Sequence, residues 1–157
     1  MKTVNRICQI LAIVLGIGSV VLFFLRFATI TSSGNDVSLV GAQLGFGSKI
    51  TAAGTEYRMA KSSDILFCFL LTVLSAVFGT LSFKSKKLRY FAPAVGIIDA
   101  VYMLVIALSN PNKFVDARPL PDVTAISYTP FVLVTAIALF AFTASAVAYL
   151  LIDDYIE

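Results

Sequence analysis

Apolar residues gather in four long runs that are separated by shorter, more polar stretches. The runs cover about residues 7–28, 65–83, 90–109 and 130–152. A helix that crosses about 30 Å of hydrocarbon needs about 20 apolar residues, because each residue advances roughly 1.5 Å along the axis. The pattern therefore predicts an all-α membrane protein, a four-helix transmembrane bundle formed by a single domain over residues 1–157.

Composition supports this class of protein and argues against a soluble domain. Of the 157 residues, 59% are hydrophobic and 13% are charged, and the mean hydropathy is +0.92. Ordinary globular domains have about 25% charged residues. The first run, after the basic "MKTVNR", could instead be a secretory signal peptide. Its apolar core is longer than usual and no small-x-small cleavage pattern follows Arg26, so we favour a retained helix.

The orientation in the membrane follows from the basic residues near the helix ends. Lys2 and Arg6 precede the first run, and "KSKKLR" (84–89) carries four cations between the second and third runs. The positive-inside bias acts most strongly on such short segments. We therefore expect a plasma membrane protein with both termini cytoplasmic. The acidic tail "DDYIE" is expected to be solvated there, with pairing to the basic hairpin as the alternative. Topology and anionic lipid headgroups account for the basic hairpin, so the net charge of +3 does not indicate a nucleic acid partner.

The two predicted outer loops, 29–63 and 110–129, carry strand signals. "DVSLVGAQLGF" and "TEYRMA" alternate between apolar and polar residues, and "SGND" and "AAGT" are typical of turns. These patterns predict a small antiparallel β-sheet on the outer face, to which "DVTAISY" could add an edge strand. Glycines 41, 45 and 47 are expected to mark bulges or close approach of the backbone.

Small residues recur along all four runs. In lipid there is little hydrophobic drive between helices, so close packing depends on small side chains that let backbones approach. The two cysteines, Cys8 and Cys68, fall near opposite faces of the membrane, too far apart for a disulfide, and are interpreted as packing residues. The predicted helix-packing positions are Ala12, Gly16, Ala76, Gly79, Ala92, Gly96, Ala100, Ala141 and Ser145.

One carboxylate, Asp99, lies inside the third run in "AVGIIDAVYM". Nine residues from Tyr90 place it roughly 13 Å along the helix, near the bilayer midplane. It borders the small residue Gly96, and an aspartate that faced lipid would cost at least about 2.5 kcal/mol, so we expect it to point inward. The hydroxyl groups at similar depth are its predicted partners: Ser19, Thr72, Ser75, Thr143 and Tyr102.

Three roles for Asp99 remain open from the sequence. A neutral, protonated aspartate bonded to hydroxyls could fix the register of the helices. Alternatively, the carboxylate could pass protons or cations, or it could pair with a cation on a helix of another protein. No basic residue of the four runs reaches its depth, so we expect the side chain to be neutral or linked to water.

Enzymatic chemistry is the least supported class. The chain contains no histidine, no paired inward carboxylates and no cluster with metal-ligand spacing, so we predict no catalytic residue, no cofactor and no metal site. "GAQLGFGSK" superficially resembles a phosphate-binding loop but has the wrong spacing and residue order.

Four helices, both ends inside, a long strand-bearing first outer loop and a shorter second one together resemble the claudin-like tetraspan membrane proteins. The family's Gly-Leu-Trp and its two loop cysteines are absent, so no functional residue is carried over. The resemblance implies a left-handed bundle capped by a small sheet. It also implies lateral assembly, as a homo-oligomer or with another membrane protein. The alternative is a small channel or transporter subunit that uses Asp99.

Overall fold

The computed structural model describes residues 2–52, 54–82, 85 and 87–156. As predicted, this part of the chain contains four helices that are long and apolar enough to cross a membrane. They are α1 (Lys2–Leu22), α3 (Ser63–Leu81), α4 (Phe91–Leu108, after a 3-10 turn over Leu88–Tyr90) and α5 (Pro130–Ile156).

The first helix ends earlier than the predicted bound near residue 28. Helix α1 stops at Leu22, and the chain turns into strand β1 (Arg26–Ser32). Alternate residues of this strand, among them Ala28 and Ile30, are fully buried. The apolar run thus combines a helix with the start of a buried strand, two states that hydropathy alone does not separate.

Two antiparallel sheets lie at one end of the bundle, which we call the sheet end. In the first sheet, β1 is central between β2 (Asn35–Val40) and β5 (Val123–Tyr128). The β1–β2 turn has positive φ at Ser33 (49°) and Gly34 (76°), as tight hairpins require. The second sheet pairs β3 (Ser48–Ala52) with β4 (Thr55–Met59). The predicted edge strand is confirmed as β5, but the strands form two sheets rather than one.

A short helix, α2 (Gly41–Phe46), replaces the predicted continuation of a strand through "GAQLGF". Glycines four residues apart share a face of a helix as well as of a strand, so the sequence pattern was ambiguous. A Cβ atom at Gly41 would lie 2.8 Å from the ring of Phe27, and one at Gly45 would lie 3.2 Å from the Cα of Leu66. Both glycines therefore permit the close approach that the sequence indicated.

The four long helices form a closed arrangement. Helix α1 packs against α3 and α5, and α4 packs against the same two helices. At the sheet end, Phe23 connects the bundle to the sheet, because its ring centroid lies 4.9 Å from that of Phe27 in β1 and 5.3 Å from that of Phe69 in α3. At the opposite end, which we call the terminal end, the two termini come together: the side-chain amide of Asn5 donates to Asp153 at 3.1 Å.

At the terminal end, Arg89 links the turn before α4 to the last part of α5 through ion pairs. Its guanidinium is 5% exposed and forms ion pairs with Asp153 and, at 2.7 Å, with Asp154. Of the two interpretations of the acidic tail, solvated or paired with the basic "KSKKLR" segment, the structure shows pairing at Arg89. Lys84 and Lys86 of that segment lie outside the described residues.

We expect Arg89→Gln to lower the free energy of unfolding by about 2 kcal/mol. Breaking a fully buried ion pair costs about 3–5 kcal/mol, and the partial exposure of Asp154, 43%, reduces that figure. Unfolding of purified protein by a denaturing detergent measures the loss. Arg118→Gln, which removes a guanidinium that is 89% exposed, is the matched control and should leave the free energy of unfolding nearly unchanged. Equal losses in both variants would contradict the prediction.

The loop between α4 and β5 contains an ion pair with a defined pH response. The Arg118 guanidinium donates two hydrogen bonds to Asp116, at 2.8 and 2.7 Å, and its backbone N–H donates a third, so the pKa of Asp116 falls to about 2 from its usual 3.8. Because the folded-state pKa is lowered, this stabilisation is complete above about pH 4 and is lost as the pH falls through about 2.

The titration of the Asp116 carboxyl carbon by NMR tests this assignment. We expect a midpoint near 2 in the native chain and a higher midpoint in Arg118→Gln, shifted toward 3.8 but still lowered by the backbone N–H that this variant retains. A midpoint near 3.8 in both forms would contradict the interaction.

Candidate functional site

Asp99 lies fully buried in the bundle, where α3 supplies its hydrogen-bond partners. The hydroxyl of Thr72 lies 2.8 Å from Oδ2 of Asp99, and the thiol of Cys68 lies 3.2 Å from Oδ1. Cys68 and Thr72 are four residues apart, so they lie one above the other on the face of α3 that contacts α4. Both carboxyl oxygens are therefore engaged, as the prediction of an inward-facing aspartate required.

The contacts of Thr72 are compatible with a carboxyl group that carries its proton. The single hydroxyl hydrogen of Thr72 has two acceptors within reach, Oδ2 of Asp99 and the carbonyl oxygen of Cys68 at 3.0 Å. A protonated Asp99 can donate to the hydroxyl oxygen, while Thr72 donates to the carbonyl. All of these groups are then bonded without a buried charge. Among the described residues, no ion pair involves Asp99.

The other predicted hydroxyl partners of Asp99 bond elsewhere or have no partner. Ser19 and Thr143 donate to carbonyl groups of their own helices, at 2.8 and 2.9 Å. Tyr102 donates to Asp64 near the start of α3. The hydroxyl of Ser75 is buried without a hydrogen-bond partner in the described part of the chain. Of the five, only Thr72 is brought to Asp99.

Cys68 is fully buried in the core, as expected of a packing residue, but it also makes contacts that the sequence did not indicate. Its thiol contacts Asp99 and also lies 3.5 Å from the sulfur of Met103. Met103 follows Asp99 by four residues on α4, so two helices each present two adjacent polar or sulfur-bearing side chains. In the sequence, the four-residue spacing of Cys68 and Thr72 indicated that both lie on one face of α3. Whether that face meets Asp99 depends on the rotation of α3 relative to α4.

Phe142 of α5 fills the centre of the bundle and was not identified from the sequence. Its fully buried ring contacts glycines of three other helices. A Cβ atom would lie 2.7 Å from the ring at Gly96, 2.9 Å at Gly79 and 3.3 Å at Gly16. These small residues make room for an aromatic ring. Only Gly16 also permits close approach of a helix backbone, since its Cβ would lie 3.1 Å from the Cα of Ala76.

The remaining predicted packing positions divide into two groups. Ala12, Ala92 and Ala100 are buried, whereas Ala76 of α3 and Ala141 and Ser145 of α5 are half-buried. Helix α5 faces the bundle with larger residues, because it must fill the space that the glycines of its neighbours leave open. The buried positions of this helix are Val132, Thr135, Ala136, Leu139, Phe142, Thr143, Ala146 and Tyr149.

A separate cavity of about 590 Å³ opens at the sheet end, between the start of α3 and the loop before β5. Cavities of this size are typical of ligand sites in proteins. Its apolar floor includes Val115 and Leu120, which are buried. The charged residues around it are Lys61, Asp64, Lys113, Asp116 and Arg118.

No protein-family model matches this sequence, and comparisons with curated proteins and with solved structures give no significant match. Function therefore has to be argued from the geometry of the bundle.

Proposed function

We propose that this chain is a non-catalytic, four-pass protein of the plasma membrane that acts in lateral assembly or as a partner-binding subunit. The observation that carries the proposal is the filled centre of the bundle, where Phe142 contacts glycines of three helices. Such a core fixes the positions of the helices relative to one another. A fixed bundle is suited to presenting a constant surface to another protein.

The same geometry weighs against the alternative, a channel or transporter subunit. Passage of a proton or cation requires polar groups that reach water in at least one state. Asp99 and Phe142 are both fully buried, and the carboxyl oxygens of Asp99 are bonded within the bundle. A path for ions would have to displace the ring of Phe142.

The proposed orientation places the sheet end outside the cell and the terminal end in the cytoplasm. The cations near the terminal end, including Arg6 and Arg89, support this orientation through the positive-inside rule. The first sheet is then the partner surface that we favour. Its outer strands, β2 and β5, each pair on one side with β1, and the free edge of a strand is a common site for partner binding.

The proposal is tested by pairing a partner assay with a flux assay. The chain is cross-linked in its native membrane, purified in mild detergent, and compared with variants that place a charge on each edge strand, Ser38→Lys in β2 and Ala125→Lys in β5. We expect at least one edge variant to lose a cross-linked species that Thr51→Lys, in the β3–β4 hairpin, retains. Reconstituted vesicles should show no ion flux. Flux that disappears in Asp99→Asn would overturn the proposal in favour of transport.

A further inference from the structure

Two sulfur atoms and a carboxyl group meet between α3 and α4. The Sγ atom of Cys68 lies 3.5 Å from Sδ of Met103 and 3.2 Å from Oδ1 of Asp99. Asp99 and Met103 are one helical turn apart on α4, so they face Cys68 together. All three side chains are at most 1% exposed. Among the described residues, no three of the types His, Cys, Asp and Glu form a metal-binding group, and only the thioether of Met103 brings this cluster to three donors.

We propose that Cys68, Met103 and Asp99 form a binding site for a soft monovalent metal ion, and that Cu(I) is the ion it fits best. Two donor atoms that bind one ion through bonds of roughly 2.0–2.3 Å stand roughly 3–4 Å apart. Both distances from Cys68 fall in this range. Met103 and Asp99 therefore already stand at a ligand-to-ligand distance from Cys68.

The types of donor atom select the ion. Thiolate and thioether ligands favour Cu(I), whereas Ca²⁺ and Mg²⁺ require a shell of oxygen atoms. Zn²⁺ is held in proteins mostly by four Cys, His or carboxylate ligands, and this chain has no histidine. One thiolate, one thioether and one carboxyl oxygen make a low-coordinate site that suits Cu(I).

Charge balance in the buried site also favours a monovalent ion. On binding, the S–H bond of Cys68 breaks and a sulfur–copper bond forms, the proton leaves to the solvent, and copper stays Cu(I) throughout. The Cu(I) ion takes the place of the thiol proton of Cys68, so the buried site gains no net charge. A divalent ion would leave an additional positive charge unless Asp99 also lost its proton, and an uncompensated buried charge is costly.

The cavity at the sheet end is not lined by Cys68, Asp99 or Met103, but it begins one helical turn from Cys68 along α3. It is lined by Asp64, which precedes Cys68 by one helical turn on α3. Tyr102, which precedes Met103 on α4, donates a hydrogen bond to Asp64. A cation attracted to the Asp64 carboxylate would thus lie one turn above the two sulfur atoms. An ion that moves from Asp64 to the sulfur atoms would have to pass the Asp64–Tyr102 hydrogen bond.

The test is an anaerobic titration of the full chain in detergent with Cu(I), in competition with a chromophoric copper chelator, and with Zn(II) in parallel. We expect one Cu(I) per chain and release of about one proton per ion. Cys68→Ser should abolish binding, and Met103→Leu should weaken it at least about tenfold. The chain supplies matched controls: Cys8→Ser and Met59→Leu should bind like the native protein.

Three results would overturn this proposal. They are the absence of Cu(I) binding by the native chain, unchanged binding in both Cys68→Ser and Met103→Leu, and tighter binding of Zn(II) than of Cu(I). If Cys68→Ser does not fold, Met103→Leu decides, because this exchange conserves side-chain volume. X-ray absorption of the copper complex should show two sulfur ligands, and one or none would contradict the site.

Discussion

Phe142→Ala should lower the free energy of unfolding by about 3 kcal/mol, the largest effect we expect from one substitution in this chain. In soluble cores, loss of a buried phenylalanine costs about 3–5 kcal/mol. We expect a value at the low end of this range for a membrane protein. Lipid tails are as apolar as the core, so the lost free energy comes from packing contacts. Those contacts are unusually concentrated here, because glycines of three helices face the ring. Unfolding by denaturing detergent measures the change.

Substitution of a glycine that faces the ring tests the same contact from the other side. In the native background Gly79→Ala should cost about 1–3 kcal/mol, because the new Cβ would lie 2.9 Å from Phe142. In the Phe142→Ala background, Gly79→Ala should be neutral or stabilising. Gly18→Ala is the control, since no atom lies within 4 Å of its Cβ position. A cost of Gly79→Ala that is the same in both backgrounds would refute the role of Phe142 as the central packing residue.

Asp99→Ala should cost about 2–3 kcal/mol, whereas Asp99→Asn should cost less than about 1 kcal/mol. Alanine leaves a cavity and removes the acceptor of the Cys68 thiol. Asparagine has nearly the same shape as a protonated aspartate: its oxygen can accept from Cys68, and its amide can donate to the hydroxyl of Thr72. The difference between the two variants therefore reports whether Asp99 acts as a neutral hydrogen-bonding group.

Stability and assembly of both Asp99 variants are measured in the same detergent by unfolding and by size-exclusion chromatography with light scattering. Thr143→Val is the matched control, because the hydroxyl of Thr143 donates within its own helix and does not contact Asp99. An Asp99→Asn variant that is as unstable as Asp99→Ala would contradict a neutral carboxyl group.

The four long helices were predictable because a membrane span needs a minimum apolar length, and this length is visible in the sequence. The strand β5 was predictable from the alternation in "DVTAISY". The end of α1 and the helix α2 were not, because Phe27 and Ala28 are as apolar as the helix before them, and because glycines four apart fit either structure. In these segments contacts with the rest of the fold decide the local conformation.

The candidate site was predicted in part, for a related reason. Asp99 was expected to face inward because it borders Gly96, and Thr72 was among its expected partners. Depth along a helix can be counted from the sequence, but rotation about the helix axis cannot, so Ser19 and Ser75 were equally plausible. Phe142 was missed because a phenylalanine in an apolar run looks the same whether it faces lipid or three glycines.

We propose that four helices cross the membrane and place the sheet end outside the cell and the terminal end in the cytoplasm. Labelling of single cysteines in intact cells with a membrane-impermeant maleimide tests it most directly, in a Cys8→Ser background in which the buried Cys68 is retained. Thr55→Cys, at the sheet end, should be labelled in intact cells, and Ser85→Cys, between α3 and α4, only after permeabilisation. Labelling of Ser85→Cys in intact cells would show that the terminal end faces outward, against the proposed orientation.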